Sequence, residues 1–147
     1  MPLILLIILF SLPLENLYSK DEYFRTLRND KVNLRQGPSF EYPVKIFYKK
    51  KFLPVIVQDI SDNFRKIRDH ENNSGWIHIS QLSKKKAAIV IDDESILFNS
   101  STVYSNPIAI LKKGRLVKIK TCKHDWCKIV TGDYTGWLKK DSLWGLL

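Results

Sequence analysis

The sequence of 147 residues is poor in the side chains from which most metal sites are built. It contains three histidines and two cysteines. The histidines, His70, His78 and His124, are widely separated and lack the paired ligand spacing of a zinc site. We therefore expect no metal ion and no cofactor.

Helical periodicity is also scarce. After the first 20 residues, the apolar residues come in short runs bounded by Gly, Pro, Asn or Asp. Few of them repeat with the spacing of three or four residues that marks an amphipathic helix. This pattern predicts an all-β protein.

No apolar run is long enough to cross a bilayer. The run from Leu3 to Leu12 has about ten residues, whereas a transmembrane helix needs about 20. A polar patch and the small Ser19 follow it, which is the layout of a secretory signal, although no lysine or arginine precedes the apolar segment. We predict that residues 1–19 are a signal peptide that is removed, and that the protein is periplasmic or secreted.

Acidic residues are scarce relative to basic ones. The 24 Lys and Arg residues outnumber the 15 Asp and Glu residues, for a formal net charge of +9. Because the predicted signal contains Glu15 and no basic residue, the remaining chain has 24 basic and 14 acidic residues and a charge of +10. Such a charge attracts anionic polymers or a membrane surface. The lysine runs 49–51, 84–86 and 139–140 are spread along the chain, which favours a generally solvated basic surface over one binding stripe.

Two stretches of the sequence are similar to each other. They are FRKIRDHENNSGWIHISQL at 64–82 and WCKIVTGDYTGWLKKDSL at 126–143. The aligned pairs are Phe64 with Trp126, Ile67 with Ile129, and Gly75-Trp76 with Gly136-Trp137. A repeat of this length is typical of a small domain rather than of a solenoid unit.

The repeat divides the chain after the signal into two modules, residues 20–83 and 84–147. A domain of about 60 residues buries only about 60% of the surface that its unfolded chain exposes. We therefore expect the two modules to pack against each other.

Each module carries the pattern of a β-meander. RLVKIKTC, WCKIV and YTGWLKK form three successive strand candidates in the second module, and FLPVIV, FRKIR and SGWIHI have the same order in the first. Gly37-Pro38 marks the turn that ends a short first strand. Five short strands per module predict a small barrel.

Five ordered segments resemble bacterial SH3-like domains, in particular the exported tandem SH3-like proteins of Gram-negative bacteria. The resemblance covers residues 30–145 and includes NLRQGPS, YPVKIFYKKKFLPVIV, DNFRKIRDHENNSGWIHISQLS, HDWCKIV and YTGWLKKDSLWG. This sequence departs from the pattern at Phe64, where tryptophan is common. It also has LFNSST in the second module where the first has LRQGPS, which affects any ligand contact that needs Arg35 or Gly37-Pro38 in both modules. The resemblance implies two tandem SH3-like barrels, recognition of cell-wall or protein peptides, and no catalysis.

The two cysteines, Cys122 and Cys127, have one pairing within the chain. In an exported protein a disulfide persists, and it would staple the hairpin whose KHDW turn they bracket. Because the two positions differ in strand parity, they can face each other only with a bulge or a turn irregularity. The alternative is a thiolate nucleophile with His124 as its base, but the sequence supplies no clear orienting group or oxyanion pocket.

Aromatic residues are the main candidates for a binding face. Trp76 and Trp137 each follow a glycine where a strand is expected to cross closely. They either pack at the barrel edge or line an aromatic groove. Trp144 is expected to close a core, and RDHE at 68–71 to form a solvated turn. The candidate ligand-binding residues are Tyr42, Tyr48, Phe64, Arg65, Arg68 and Trp76 in the first module, and Trp126, Tyr134 and Trp137 in the second.

The sequence thus predicts a non-enzymatic exported binding module that recognises cell-wall peptide or an envelope protein and binds no nucleic acid. Two alternatives stay open. The modules form a structural scaffold if packing consumes the aromatic side chains, in which case the indoles are buried. The protein binds an anionic polymer or lipid if its charge dominates, in which case binding falls steeply with salt. The oligomeric state is not defined by the sequence.

Overall fold

The computed structural model describes residues 21–146, which form two seven-stranded antiparallel sheets and contain no α-helix. The first sheet lies within residues 23–83 and the second within 87–144. The predicted all-β fold with two tandem SH3-like barrels is confirmed. The predicted signal, residues 1–19, lies outside the described residues.

The first module follows the predicted meander. Its strands are β1 Tyr23–Leu27, β2 Val32–Arg35, β3 Val44–Tyr48, β4 Pro54–Ser61, β5 Phe64–Arg68, β6 Ser74–His78 and β7 Leu82–Ser83. Strands β4, β5 and β6 are successive antiparallel neighbours and correspond to FLPVIV, FRKIR and SGWIHI. The order across the sheet is β3-β2-β6-β5-β4-β1-β7. A 3-10 turn, Ile79–Gln81, connects β6 to β7.

The second module repeats this arrangement strand for strand. Its strands are β8 Ala87–Val90, β9 Glu94–Phe98, β10 Pro107–Lys112, β11 Leu116–Lys123, β12 Trp126–Thr131, β13 Tyr134–Lys139 and β14 Leu143–Trp144. Their order across the sheet is β10-β9-β13-β12-β11-β8-β14, and the 3-10 turn Lys140–Ser142 connects β13 to β14 as the first turn connects β6 to β7.

Each module has seven strands where five were expected. The additional ones are the first and last of each module, namely β1, β7, β8 and β14. β7 and β14 have two residues each and pair with β1 and β8, which lie far from them in sequence. Local alternation cannot indicate so short a strand, because only its distant partner makes it one.

Two glycines allow strands to cross closely at equivalent places. A Cβ on Gly75 would lie 2.7 Å from the carbonyl oxygen of Arg35, and a Cβ on Gly136 would lie 2.7 Å from that of Phe98. Because real Cβ atoms essentially never come so close to a carbonyl oxygen, β6 and β13 need glycine at these positions. The predicted close crossing is confirmed in both modules.

The two modules pack against each other, as expected for units of this size. Ile89 of β8 belongs to the core of the first module, and Leu116 packs against that core. Trp144 meets Phe24 edge to face with ring centroids 5.0 Å apart, and its ring lies 6.1 Å from that of His70. Trp144 therefore closes the junction between the modules.

The segment between the modules is held by both. The Thr26 hydroxyl donates to the carbonyl oxygen of Lys85 at 2.8 Å, and the N–H of Ile119 donates to that of Lys86 at 3.0 Å. These bonds come from the first and the second module respectively, so the lysine run 84–86 is anchored and is not a free hinge.

Cys122 and Cys127 form the predicted disulfide. They face each other across the β11–β12 hairpin with their Cα atoms 4.0 Å apart. The register of the hairpin shifts between Ile119 and Thr121. This is the irregularity that the parity of the two cysteines required.

Candidate functional site

The loop between β2 and β3 folds over one end of the β5–β6 hairpin. Three backbone hydrogen bonds shape this loop, residues 36–43: Gln36 N–H to Pro43 O, Ser39 N–H to Gly37 O, and Tyr42 N–H to Ser39 O. The Arg35 guanidinium donates to the carbonyl oxygens of Phe40 and Tyr42 at 3.1 and 2.9 Å. These bonds fix the position of the loop above the hairpin.

An aromatic cluster joins this loop to the barrel. Phe40 lies 5.2 Å from Phe64 and 5.1 Å from His78, and the last two rings are 5.2 Å apart. The guanidinium of Arg35 lies over the Phe40 ring at 5.3 Å. Within the cluster, Phe64 is buried, whereas Phe40 is 62% exposed. The ring of Phe40 therefore covers the end of the hairpin.

The loop between β9 and β10, residues 99–106, has the same pattern of backbone hydrogen bonds as the loop 36–43 of the first module. Its hydrogen bonds run from Asn99 to Asn106, from Thr102 to Ser100 and from Ser105 to Thr102, at 2.9, 2.8 and 3.2 Å. The change from LRQGPS to LFNSST therefore leaves the path of the loop intact. These bonds place Val103 where the first module has Phe40.

The side chains beneath the two loops differ. Phe64 pairs with His78 in the first module as Trp126 pairs with Lys139 in the second. Arg35 pairs with Trp76 as Phe98 pairs with Trp137. The second module thus has the phenyl ring of Phe98 where the first has the guanidinium of Arg35. It has the ammonium group of Lys139 where the first has the imidazole of His78.

A groove of about 640 Å³ lies between the second loop and Trp126. Val103 has no ring to extend across it, unlike Phe40 in the first module. Phe98 supports the indole of Trp126 edge to face, with centroids 5.6 Å apart. The lining residues are Ser101, Thr102, Val103, Asp125, Trp126, Lys139, Lys140 and Asp141. We call this the Trp126 groove.

The Trp126 groove combines an aromatic wall with groups of both charge signs. An indole offers a large contact area and a polar N–H. Two ammonium groups can pair with carboxylates, two carboxylates with amines, and the hydroxyls of Ser101 and Thr102 can donate or accept. This chemistry suits a ligand that carries both amines and carboxylates.

Tyr48, one of the residues expected in a groove, lies inside the first module instead. It is 8% exposed, and its hydroxyl donates to Asp69 Oδ2 at 2.8 Å. Burial in the first place, and then this hydrogen bond, raise the pKa of the Tyr48 hydroxyl well above its usual range. Tyr48 is therefore a structural residue.

Asp69 corrects the expectation of a solvated turn at 68–71. The residue is 3% exposed. Its Oδ1 accepts from the N–H groups of Glu71 and Asn73, both at 2.9 Å, and its Oδ2 accepts from the Asn73 amide at 3.0 Å as well as from Tyr48. The turn is thus built around a buried carboxylate, because this group satisfies the backbone donors that the turn leaves unpaired.

Neither of the arginines expected at the rim belongs to the aromatic cluster, although Arg65 follows Phe64 and donates to its carbonyl oxygen at 3.0 Å. Arg68 donates to Asn72 Oδ1 at 3.0 Å, at the opposite end of β5 from Phe64. At about 3.3 Å per residue, the two Cα atoms are roughly 13 Å apart. Arg65 lines a different groove beside β1.

Tyr134 is likewise separated from Trp126. It begins β13 and pairs with Thr131 at the end of β12, whereas Trp126 begins β12. The separation along the strand is roughly 17 Å. Tyr134 is exposed but lies outside the Trp126 groove.

The remaining candidates lie near the two loops. The exposed Tyr42 ring stacks against Gly37, since a Cβ there would lie 2.5 Å from ring atoms. Trp76 and Trp137 are half-buried on the strands below. Of the nine candidates, the structure places Trp126 in the groove, and it brings Phe64 together with Phe40 and His78, which were not anticipated.

The internal alignment of the two modules contains information about Phe40 and His78, the two residues that were missed. Extending the comparison of LRQGPS with LFNSST by one position aligns Phe40 with Val103. His78 and Lys139 already align within the two similar stretches, 64–82 and 126–143. What no alignment supplies is the contact between the loop and the hairpin, because these segments are distant in sequence.

Within residues 21–146, the structure has no group of three or more His, Cys, Asp or Glu side chains that could hold a metal ion. In the same part of the chain, no helix is long and apolar enough to span a membrane.

Comparison with known proteins identifies the family. The solved structures that match include NlpC2 from Trichomonas vaginalis, at 14% identity over 86% of this chain and 49% of that chain, with a TM-score of 0.39. Another is an NlpC/P60 family protein from Bacillus cereus, at 10% identity over 82% of this chain and 55% of that chain, with a TM-score of 0.38. This chain spans about half the length of these proteins. No curated protein matches it. The sequence profile described as the bacterial SH3 domain matches residues 28–84 and 97–145, and the chain therefore belongs to the bacterial SH3 domain family and carries two copies of the domain.

Proposed function

We propose that the protein is a non-enzymatic, exported binding module that recognises peptide, either of the cell wall or of an envelope protein, through the Trp126 groove. The observation that carries this proposal is the difference between the two modules. The same loop is closed onto its hairpin by Phe40 in the first module and stands open above Trp126 in the second.

The lining of the groove favours a peptide as the ligand. Binding sites in proteins combine aromatic walls with a few polar groups that fix the orientation of the ligand. The indole of Trp126 provides the wall. Lys139 and Lys140 match carboxylates, whereas Asp125 and Asp141 match amines. Peptide stems of the cell wall carry both groups in a short chain.

The first module is proposed to support the second rather than to bind the same ligand. A ligand at its hairpin would have to displace Phe40 from Phe64 and His78. Aromatic pairs of this kind contribute about 0.5–1.5 kcal/mol beyond the area that they bury. The first module also accepts Ile89 of the second into its core, which fixes the position of the open groove.

The absence of catalysis remains part of the proposal. Both sulfurs are joined in the Cys122–Cys127 disulfide, so neither is available as a thiolate. The described lining of the Trp126 groove contains hydroxyls but no histidine to activate them. An activated nucleophile needs such an adjacent base.

A scaffold role receives less support than binding. Trp144 packs at the junction between the modules, as a scaffold would require. Trp126, however, lines an open groove, and neither Trp76 nor Trp137 is fully buried. An indole beside open space is expected of a binding face.

The direct test is retention of the folded protein on purified cell-wall sacculi at low salt. We expect the wild type to be retained and Trp126→Ala to be released, with binding at least ten-fold weaker. Tyr134→Ala is the matched control, because it removes an exposed aromatic ring outside the groove. Circular dichroism checks that the variants are folded. Absence of wild-type retention, or equal retention of Trp126→Ala, contradicts the cell-wall version of the proposal.

A further inference from the structure

Three neighbouring grooves run from the first module across the junction to the second. The first, of about 470 Å³, lies beside β1 and β7. The second, of about 260 Å³, shares Tyr23, Arg25 and Lys84 with it. The third, of about 330 Å³, shares Lys86 and Leu146 with the second. Together they form one continuous depression, which we call the cationic track.

The charged residues that line the track are all basic. The first groove has Arg25, Arg28, Arg65 and Lys84. The second adds Lys85 and Lys86, and the third adds Lys120 and Lys140. Among the described residues, no carboxylate and no histidine lines any of the three. The Trp126 groove, by contrast, has two charged groups of each sign.

These cations are not neutralised within the described part of the chain. The ion pairs between residues 21 and 146 join His70 to Glu71 and Lys112 to Glu94, and neither lies in the track. Arg25 donates to the carbonyl oxygen of its neighbour Phe24 at 2.9 Å and lies over the Tyr23 ring at 4.5 Å, so its guanidinium is oriented without an ion pair to a carboxylate.

The arginines of the track are not part of the structure that the two modules share. Arg25 pairs with Val55 on β4, and its counterpart Ala88 pairs with Val117 on β11. Arg65 faces Ile60 at the place where Cys127 faces Cys122 in the second module. A barrel of this kind therefore forms without these arginines.

The track also corrects the expectation that the lysine runs are spread over a general basic surface. Runs 84–86 and 139–140 are far apart in sequence, but Lys86 and Lys140 line the same groove. Of the three runs, 49–51 lies outside the track. The long-range pairing of β8 with β11 and β14 produces this convergence.

We propose that the cationic track binds a linear polyanion with repeated phosphate groups. A connected depression fits an extended chain better than a flat membrane surface. Because eight basic groups and no acidic one line the track, a ligand that pairs with them needs closely spaced negative charges. Phosphate supplies a charge and strong acceptor oxygens at each repeat, which suit both the guanidinium fork and the ammonium group. Apart from Lys140, this site shares no described lining residue with the Trp126 groove, so it stands independently of peptide binding.

The test is a titration of the protein with inorganic polyphosphate at several salt concentrations. The track variant is Lys84→Gln/Lys85→Gln/Lys86→Gln. The hydrogen bonds that hold this segment to the two modules use its backbone carbonyls, so the variant is expected to fold. The control is Lys49→Gln/Lys50→Gln/Lys113→Gln, which removes the same charge from exposed positions outside the track.

We expect the track variant to bind polyphosphate at least ten-fold more weakly than the control. The slope of log K against log salt should fall in magnitude by about 2 for the track variant, since each phosphate that a lysine no longer neutralises lowers it by about 0.7. The control should keep the wild-type slope. Equally weakened binding in the two variants would show that net charge alone attracts the polymer, and would overturn the proposal.

Three further ligands test whether the track prefers a phosphate polymer to other anions. Polyglutamate of matched length should bind more weakly than polyphosphate, and equal binding contradicts the preference for phosphate. Vesicles of anionic phospholipid should bind no better to the wild type than to the control variant, because a flat membrane surface does not fill a depression. Tighter binding to vesicles than to polyphosphate would overturn the proposal. Single-stranded DNA that binds more tightly than polyphosphate of equal charge would also overturn it, by indicating recognition of bases.

Discussion

Phe40 lies with its ring 5.2 Å from that of Phe64 and closes one end of the first barrel. Val103 holds the corresponding place in the second barrel, in a loop with the same pattern of backbone hydrogen bonds, and leaves Trp126 beside a groove. One backbone therefore supports two different surfaces. The side chains beneath the loops differ as well. The contribution of the loop side chain, Phe40 or Val103, can be tested directly by substitution.

The disulfide is expected to stabilise the second module. Cys122 and Cys127 enclose a short loop, for which chain entropy gives about 2 kcal/mol. Urea denaturation with and without reductant should show a decrease of this size in the free energy of unfolding. Mass measurement of the purified protein should first show two hydrogens fewer than the reduced chain. Two free thiols in that protein would contradict the structure.

Removal of the Tyr48 hydroxyl should destabilise the first module. Tyr48→Phe takes one donor from the buried carboxylate of Asp69, and a hydrogen bond to a charged group contributes about 1.5–3 kcal/mol. Urea denaturation measures the decrease in stability. Tyr134→Phe is the control, since Tyr134 is exposed, and it should behave as the wild type. Equal stability of Tyr48→Phe and wild type would show that the hydrogen bond contributes nothing.

The same hydroxyl should make stability depend on alkaline pH. Because the folded protein raises the pKa of Tyr48, the unfolded chain loses this proton near pH 10 while the folded chain keeps it. The contribution is complete below about pH 10 and is lost as the pH rises further, with a limiting slope of about 1.4 kcal/mol per pH unit. The stability difference between wild type and Tyr48→Phe should therefore shrink as the pH rises from about 9 to about 11. A constant difference over this range contradicts the raised pKa.

The close crossings should tolerate no side chain. Gly75→Ala and Gly136→Ala each place a methyl group 2.7 Å from a backbone carbonyl oxygen, and such overpacking costs about 1–3 kcal/mol. Gly114→Ala serves as the comparison, because no atom lies within 4 Å of its added Cβ and only its φ of +87° opposes alanine. Thermal unfolding should rank both strand variants below Gly114→Ala. The reverse order would contradict the proposed packing.

Local sequence patterns predicted the features that depend on local chemistry. The strand order of each meander, the glycine crossings and the disulfide follow from alternation, from the Gly-Trp repeat and from the cysteine count. The parity of Cys122 and Cys127 even indicated the irregularity in their hairpin.

The features that escaped prediction depend on contacts between distant segments. Tyr48 appeared available for binding because nothing near it in the sequence shows that Asp69 would accept a hydrogen bond from its hydroxyl inside the barrel. Phe40 carried no signal of its own, since its role comes from the two rings that it meets on β5 and β6. The cationic track likewise assembles lysines from two modules.

Peptide binding by the Trp126 groove is tested most directly by calorimetric titration of peptide fragments, released from purified cell wall by muramidase, into wild type and Val103→Phe. The added ring should cross the Trp126 groove as Phe40 crosses the first hairpin, so we predict at least ten-fold weaker binding with unchanged stability. Val103→Ala, which keeps the groove open, should bind as the wild type does. Wild-type affinity in a folded Val103→Phe protein would contradict the assignment of peptide binding to this groove.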